Sequence, residues 1–81
     1  MDYYFYVLQS IKDSSLYKGL TSNLERRVAQ HNNGKNPSTI NKRPLKLIYF
    51  EKFDSRVKAR EREKYFKSGS GREKLKEILS L

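Results

Sequence analysis

The segment YYFYVL at residues 3–8 limits the possible folds most, because each of its side chains is aromatic or aliphatic. An uninterrupted run of this kind is typical of a β-strand that has little solvent exposure on either face. Only 36% of the 81 residues are hydrophobic, so the core must depend on six tyrosines and four phenylalanines. We therefore expect one small domain over residues 1–81.

A second strand is predicted at LYKGL, after the turn-forming residues SIKDSS. The economical arrangement is a hairpin, in which Tyr6 pairs with Gly19 and Leu8 with Tyr17. The two tyrosines would then be diagonal neighbours on one face of the sheet. Gly19 has no side chain, so it marks close approach by another group, a bulge or a strand end.

The next segment, SNLERRVAQHNNGK, has the signals of a helix. Ser22 and Glu25 have capping-box spacing, and Gly34 stands where a helix C-terminus favours glycine. One stripe of this helix carries two apolar residues and a histidine, with an arginine on its border: Leu24, Val28, His31 and Arg27. The following NNGKNPSTINKRP has the composition of a loop, and its three basic residues suit contact with phosphates.

The C-terminal half predicts one strand and two helices. LKLIYFEKF is the strand, and DSRVKAREREKYFKS is a helix capped by Asp54 or Ser55. Its apolar positions are Val57, Ala59, Tyr65 and Phe66. SGSG breaks that helix, and a last helix carries Leu75, Ile78 and Leu79.

These elements predict an α+β domain of order β-β-α-β-α-α, with a small three-stranded antiparallel or mixed sheet flanked by helices. The pairing partner of the third strand stays open, because that strand follows a helix.

The charge of the chain indicates a polyanionic partner. Eighteen lysines and arginines against nine acidic residues give a net charge of +9, which favours nucleic acid through counterion release. A merely solvated basic surface is the alternative. An anionic membrane is disfavoured because the basic residues do not lie opposite one apolar helix face. Without a signal peptide or transmembrane run, we expect a cytoplasmic protein.

The same composition restricts metal chemistry. The chain has no cysteine and one histidine, which excludes thiolate zinc sites and histidine clusters. A bound metal must therefore be a hard, oxygen-liganded cation.

Taken together, these segments resemble the GIY-YIG nuclease superfamily, in particular its short stand-alone bacterial members. YFYVLQS is similar to the first signature segment and LYKGLTSNLERRVAQHNNGK to the second. AREREKYFK resembles the later helix that carries the family carboxylate. The first tripeptide lacks glycine, Lys18 replaces an aliphatic residue in the second, and an asparagine that some members carry beyond the carboxylate helix has no counterpart.

The resemblance implies a set of catalytic residues, namely Tyr6, Tyr17, Arg27, His31 and Glu63, with Glu63 as the metal ligand. Helical periodicity alone does not choose between Glu61 and Glu63. The residues expected to bind nucleic acid are Lys18, Gly19, Arg26, Lys35, Lys42, Arg43, Arg60 and Lys67.

The function implied is hydrolysis of DNA phosphodiester bonds with Mg²⁺ or Mn²⁺. One carboxylate can suffice, because Mg²⁺ keeps several waters and uses substrate oxygens. Two other functions stay open. One is a DNA- or RNA-binding module with little catalysis, and the other is a subunit whose specificity comes from a protein partner.

Overall fold

The computed structural model describes residues 1–80 and has the predicted order β-β-α-β-α-α. The strands are β1 (Tyr3–Ser10), β2 (Leu16–Thr21) and β3 (Leu45–Phe53). The helices are α1 (Leu24–Asn32), α2 (Arg56–Lys67) and α3 (Gly69–Leu79), with a 3-10 turn at Ile40–Lys42. The α+β class is confirmed, and the sheet is antiparallel throughout, in the order β2-β1-β3.

The central position of β1 explains its unbroken apolar sequence. Phe5 and Val7 face one side of the sheet, Tyr6 and Leu8 face the other, and all four are 0% exposed. The hairpin register is confirmed, since Tyr6 pairs with Gly19 and Leu8 with Tyr17. The partner of β3 is also β1, with an irregularity in the register between Val7 and Leu8.

Helices cover the sheet on both faces. Phe66 of α2 and Leu75 of α3 form one cluster with Phe5 and Val7. On the other face, Leu24 and Val28 of α1 pack against a cluster made of Tyr6, Leu8 and Leu45. This arrangement places α1 and α2 on opposite faces of the central strand β1.

A polar network links β3 to α2. Arg62 donates two hydrogen bonds to the carboxylate of Glu51, at 2.6 and 3.1 Å, and its guanidinium lies 4.5 Å from the ring centre of Phe66. The hydroxyl of Tyr49 donates to the same carboxylate, and burial with this hydrogen bond raises the pKa of Tyr49 to about 12. Burial raises the pKa of Glu51, but the bonds from Arg62 and Tyr49 outweigh it and the net pKa is lowered.

The helix caps differ in detail from the prediction. Asn23, not Ser22, caps α1: its side-chain oxygen accepts from the Arg26 amide at 3.1 Å. The capping box is wrong by one residue because Asn23 is extended and its carbonyl already accepts from the Arg27 amide. Gly34 follows the helix with a φ of +77°, as predicted for a helix end. Ser55 caps α2, which settles the choice against Asp54.

The structure adds detail to two features of the C-terminal helices. Of the apolar positions of α2, Ala59 and Phe66 are buried, whereas Val57 is 67% exposed and Tyr65 38% exposed. Val57 lies two residues from the buried Ala59, which is about 200° around a helix and therefore points away. The predicted break at SGSG is confirmed and takes a single residue: Ser68 ends α2 and caps α3, and the next residues form the first turn of α3.

Candidate active site

The hydroxyl of Tyr6 is held by three features of its surroundings. Its Oη lies 3.0 Å from His31 Nε2 and 3.3 Å from Arg27 Nε. Gly19 is the cross-strand partner of Tyr6, and a Cβ at that position would lie 2.6 Å from the same oxygen. Of the explanations for this glycine, close approach is therefore the right one, since the β1–β2 register is continuous through it.

The histidine behind Tyr6 is fully buried and has a partner on each ring nitrogen. His31 Nδ1 lies 2.7 Å from the hydroxyl oxygen of Thr39. Because Arg27 Nε donates to Tyr6 Oη, the phenol proton is free to point at His31 Nε2. The ring hydrogen then sits on Nδ1 and is donated to Thr39.

The protonation of this pair follows from its environment. Burial, and then the positive charge of Arg27, lowers the pKa of His31 below its usual value. Burial raises the pKa of Tyr6, and the hydrogen bond from Arg27 offsets part of that rise. At neutral pH the pair is therefore a phenol beside a neutral imidazole.

Glu63 is the acidic residue of α2 that turns inward. Its side chain is 9% exposed, and it accepts from Arg60 Nη1 at 2.6 Å and from Lys67 Nζ at 3.2 Å. Glu61, which helical periodicity does not distinguish from Glu63, is exposed.

A cleft of about 480 Å³ joins these groups. Its walls come from β1, β2, α1 and α2, and the lining residues are Tyr6, Tyr17, Gly19, Leu20, Arg27, Arg56, Arg60 and Glu63. Three guanidinium groups surround one carboxylate, so the cleft suits an anion. The ring of Tyr17 lies 6.3 Å from that of Tyr6 and 4.8 Å from that of His31.

Some of the basic residues predicted to bind nucleic acid lie in or beside this cleft. Arg60 lines it, and Lys67 reaches it through Glu63. Lys35 lines an adjoining depression that also contains Arg27 and His31. Lys18 is the cross-strand partner of Val7 and therefore lies on the sheet face opposite Tyr6, where burial, followed by the charges of Arg72 and Lys67, lowers its pKa.

Neither the cleft nor the adjoining depression is lined by Lys42, Arg43 or Arg26. Lys42 forms an ion pair with Asp13 of the β1–β2 turn. Arg43 donates to the Ile40 carbonyl at 2.8 Å and lines a separate depression. Arg26 is exposed on the first turn of α1.

The structure also adds two residues that sequence reasoning missed. Arg56 lines the cleft, and its position four residues before Arg60 on a helix was the available signal. Thr39 orients His31 but lies in a loop of irregular structure, so no periodicity indicated it.

A divalent cation fits this donor set in one way only. Residues 1–80 contain no cluster of three or more His, Cys, Asp or Glu side chains, and Glu63 is the one acidic residue that lines the cleft. Mg²⁺ accepts such a site because it retains water ligands. Arg60 and Lys67 have side chains 53% and 50% exposed, and they can move from the carboxylate into solvent.

In the part of the chain described, no helix is long and apolar enough to cross a membrane.

Comparisons with known proteins identify the family of the chain. A family model described as the GIY-YIG catalytic domain matches residues 2–76. A UPF0213 protein of Clostridium perfringens is 45% identical over 78 residues, covering 95% of this chain and 83% of its own length. One from Staphylococcus haemolyticus is 44% identical over 77 residues, covering 94% of this chain and 93% of its own.

A solved structure shows the same fold. The solution NMR structure of a UPF0213 protein from Bacillus halodurans superposes with a TM-score of 0.57 at 32% identity. The match covers 96% of this chain and 85% of the other. The chain therefore belongs to the GIY-YIG family of the endonuclease superfamily, among the short UPF0213 proteins.

Proposed function

We propose that this chain is a metal-dependent endonuclease that hydrolyses phosphodiester bonds in DNA. The GIY-YIG domain implies a nucleic-acid substrate, and proteins of this superfamily generally use divalent metal ions. The observation that carries the proposal is the buried Tyr6–His31 pair, whose phenol opens onto the same cleft as Arg27 and Glu63.

Arg27 supplies the first step, which is to place the phosphate. Its guanidinium lines the cleft while its Nε holds Tyr6 Oη, so a phosphate bound to it lies beside the phenol. Arg56 and Arg60 add positive charge along the same wall. Permanent charge near the non-bridging oxygens stabilises the extra negative charge of the transition state.

Tyr6 and His31 then move the proton. A water in the cleft gives a proton to Tyr6 Oη while Tyr6 gives its own to His31 Nε2, and the resulting hydroxide attacks phosphorus. The bond from phosphorus to the leaving oxygen breaks, and that oxygen takes a proton from solvent. The relay suits a phenol of raised pKa, because Tyr6 never has to exist as an isolated phenolate.

Glu63 would hold the divalent cation, which when bound supplies positive charge to the non-bridging and leaving oxygens. Tyr17 borders the cleft beside His31 and is the second hydroxyl able to orient the attacking water. The proposed catalytic residues are thus Tyr6, Tyr17, Arg27, His31 and Glu63.

The test is nicking of supercoiled plasmid with Mg²⁺, with Mn²⁺ and with EDTA. We expect Glu63→Gln and His31→Ala to lower the rate by about a hundredfold or more. Glu61→Gln is the matched control, because Glu61 lies on the same helix but is exposed. Nicking by Glu63→Gln at the parental rate would show that the proposed metal ligand is wrong.

A second candidate is a DNA- or RNA-binding module without catalysis. It is favoured by the two ion pairs of Glu63, which occupy both carboxylate oxygens. Binding of this kind weakens steeply with salt but needs no divalent cation. Binding without nicking under every metal condition would establish this candidate in place of the first.

A further inference from the structure

Helix α1 leaves part of one sheet face uncovered, the face that carries Tyr6 and Leu8. Leu24 and Val28 of α1 cover the half of this face that carries Leu8 and Leu45. Beyond that half, Phe50 of β3 is 50% exposed. Tyr4 of β1 lies against it, half-buried, with the two rings edge to face and their centres 6.0 Å apart.

This aromatic pair continues directly from the candidate active site. Gly19, Tyr6 and Phe50 are cross-strand partners in one row, so Phe50 lies on the same face as the catalytic phenol. Neighbouring strands are about 4.8 Å apart, which places Phe50 roughly 10 Å across the sheet from Gly19. That distance corresponds to about three nucleotides at the 3.4 Å spacing of phosphates along a stacked strand.

We propose that Tyr4 and Phe50 form a stacking platform for an unpaired nucleobase of the strand whose phosphate occupies the cleft. Exposed aromatic rings on a sheet face bind single strands because every base offers a π-face. A base inside a duplex has both faces occupied by its neighbours and cannot stack there without opening. The platform therefore makes this chain prefer single strands to duplexes, and the assignment of the strand as DNA rests on the proposed function.

A second copy of the chain is a poorer occupant for the same surface. Two partly exposed rings offer on the order of 200 Å² of apolar surface, whereas a stable protein interface needs about 1,000 Å² or more. Each copy carries a net charge of +9, so like charges would meet at the contact. Lys46 and Lys52 are exposed on β3, and lysines on an edge strand oppose strand-to-strand association. A polyanion with aromatic bases complements both the charge and the rings.

The test is direct binding of short fluorescent oligonucleotides in EDTA, where cleavage does not interfere. The probes are an oligo-dT single strand, its duplex with oligo-dA, and an oligo-rU strand. We expect Phe50→Ala to weaken single-strand binding roughly five- to hundredfold and duplex binding less than twofold. Ile11→Ala is the matched control, since Ile11 is 65% exposed in the β1–β2 turn.

A second variant detects directly the contact between residue 50 and a base. Phe50→Trp keeps an aromatic face, so it should retain parental affinity, and its fluorescence should be quenched by the single strand. Circular dichroism and sedimentation of each variant check the fold and the oligomeric state. Equal single-strand affinity of Phe50→Ala and the parent would overturn the platform, as would a parental dimer that Phe50→Ala abolishes.

The DNA and RNA probes separate the possible ligands. Stronger Phe50-dependent binding of oligo-dT than of oligo-rU supports the DNA assignment, and the reverse order overturns it. The binding outcome is independent of nicking. A chain that never cleaves but binds single strands through Phe50 refutes the endonuclease and keeps the platform, whereas nicking without any effect of Phe50→Ala does the opposite.

Discussion

Replacing Gly19 by alanine tests whether the gap above β2 positions the catalytic phenol. The new Cβ would lie 2.6 Å from Tyr6 Oη and 2.8 Å from Cζ, against an ordinary van der Waals contact of about 3.4 Å or more. Tyr6 is 0% exposed and lines the cleft, so its ring can retreat only by displacing packed neighbours or by moving toward the cleft. The hydroxyl must therefore leave the position where His31 and Arg27 hold it.

The expected loss in the free energy of unfolding has two parts. Overpacking a core costs about 1–3 kcal/mol, and a buried His31 Nε2 that loses its partner costs about 1–3 kcal/mol more. The sum, about 2–6 kcal/mol, corresponds to a fall in Tm of about 10–50 °C for a domain of this size. Nicking should fall by about a hundredfold or more, because proton transfer depends on the displaced oxygen.

The assay is thermal unfolding by circular dichroism together with plasmid nicking below the lower Tm. Gly69→Ala is the matched control, because a Cβ at Gly69 meets nothing within 4 Å. In a Tyr6→Phe background, Gly19→Ala should cost less, since the atom closest to the new methyl is gone. A Gly19→Ala protein with parental Tm and nicking rate would refute the reasoning.

Three further predictions concern charge and pH. Lys67→Ala removes one competitor for the carboxylate of Glu63, so a Mg²⁺ titration of nicking should reach half-saturation at a roughly two- to fivefold lower concentration. Glu51→Gln loses the charge-assisted bonds from Arg62 and should lower the free energy of unfolding by about 1.5–3 kcal/mol at pH 7 in urea. The pKa of Glu51 is lowered in the fold, so its stabilisation is present above pH 4.5 and disappears as pH falls through the folded value; the stability of parent and variant should therefore converge in acid. The pKa of His31 is also lowered, so the folded state binds this proton at a lower pH than the unfolded state does. Both nicking and stability should therefore decline only as pH falls below 6.5. A decline that begins above pH 7 would contradict the neutral imidazole.

The strands and the hairpin register followed from sequence because their determinants are local. The unbroken apolar run at residues 3–8 and the alternation in LYKGL fix which faces are buried, and the structure has Tyr6 opposite Gly19 as predicted. The partner of β3 could not be predicted, because a strand that follows a helix can join either edge of a hairpin. In the structure β3 pairs with β1, which becomes the central strand and has a core cluster on each face.

The acidic residue of the site shows a different limit. Glu61 and Glu63 are equally compatible with the helix, and family resemblance, not periodicity, favoured Glu63. In the structure the two side chains point in different directions around the axis of α2. Glu63 lies four residues after the buried Ala59 and shares its inward face. The predicted N-cap of α1 was wrong for a similar reason: Ser22 and Asn23 are both good caps, and the extended backbone of Asn23 decides between them.

The loop residues were the hardest to place. Lys35, Lys42 and Arg43 were grouped because they share one basic loop, yet only Lys35 lines a depression together with Arg27 and His31. The ion pair of Lys42 with Asp13 joins residues 29 positions apart, which no local pattern reveals. Thr39 was missed for the same reason.

Tyr6 is both a reactive group and one of the largest fully buried side chains of the core. In many enzymes, a site on mobile loops fails on heating before the scaffold melts, which leaves a compact but inactive protein. Here the phenol cannot leave its place without opening the interior of the sheet. Thermal inactivation and global melting should therefore follow one curve, and heating should produce no inactive form that still has the native sheet.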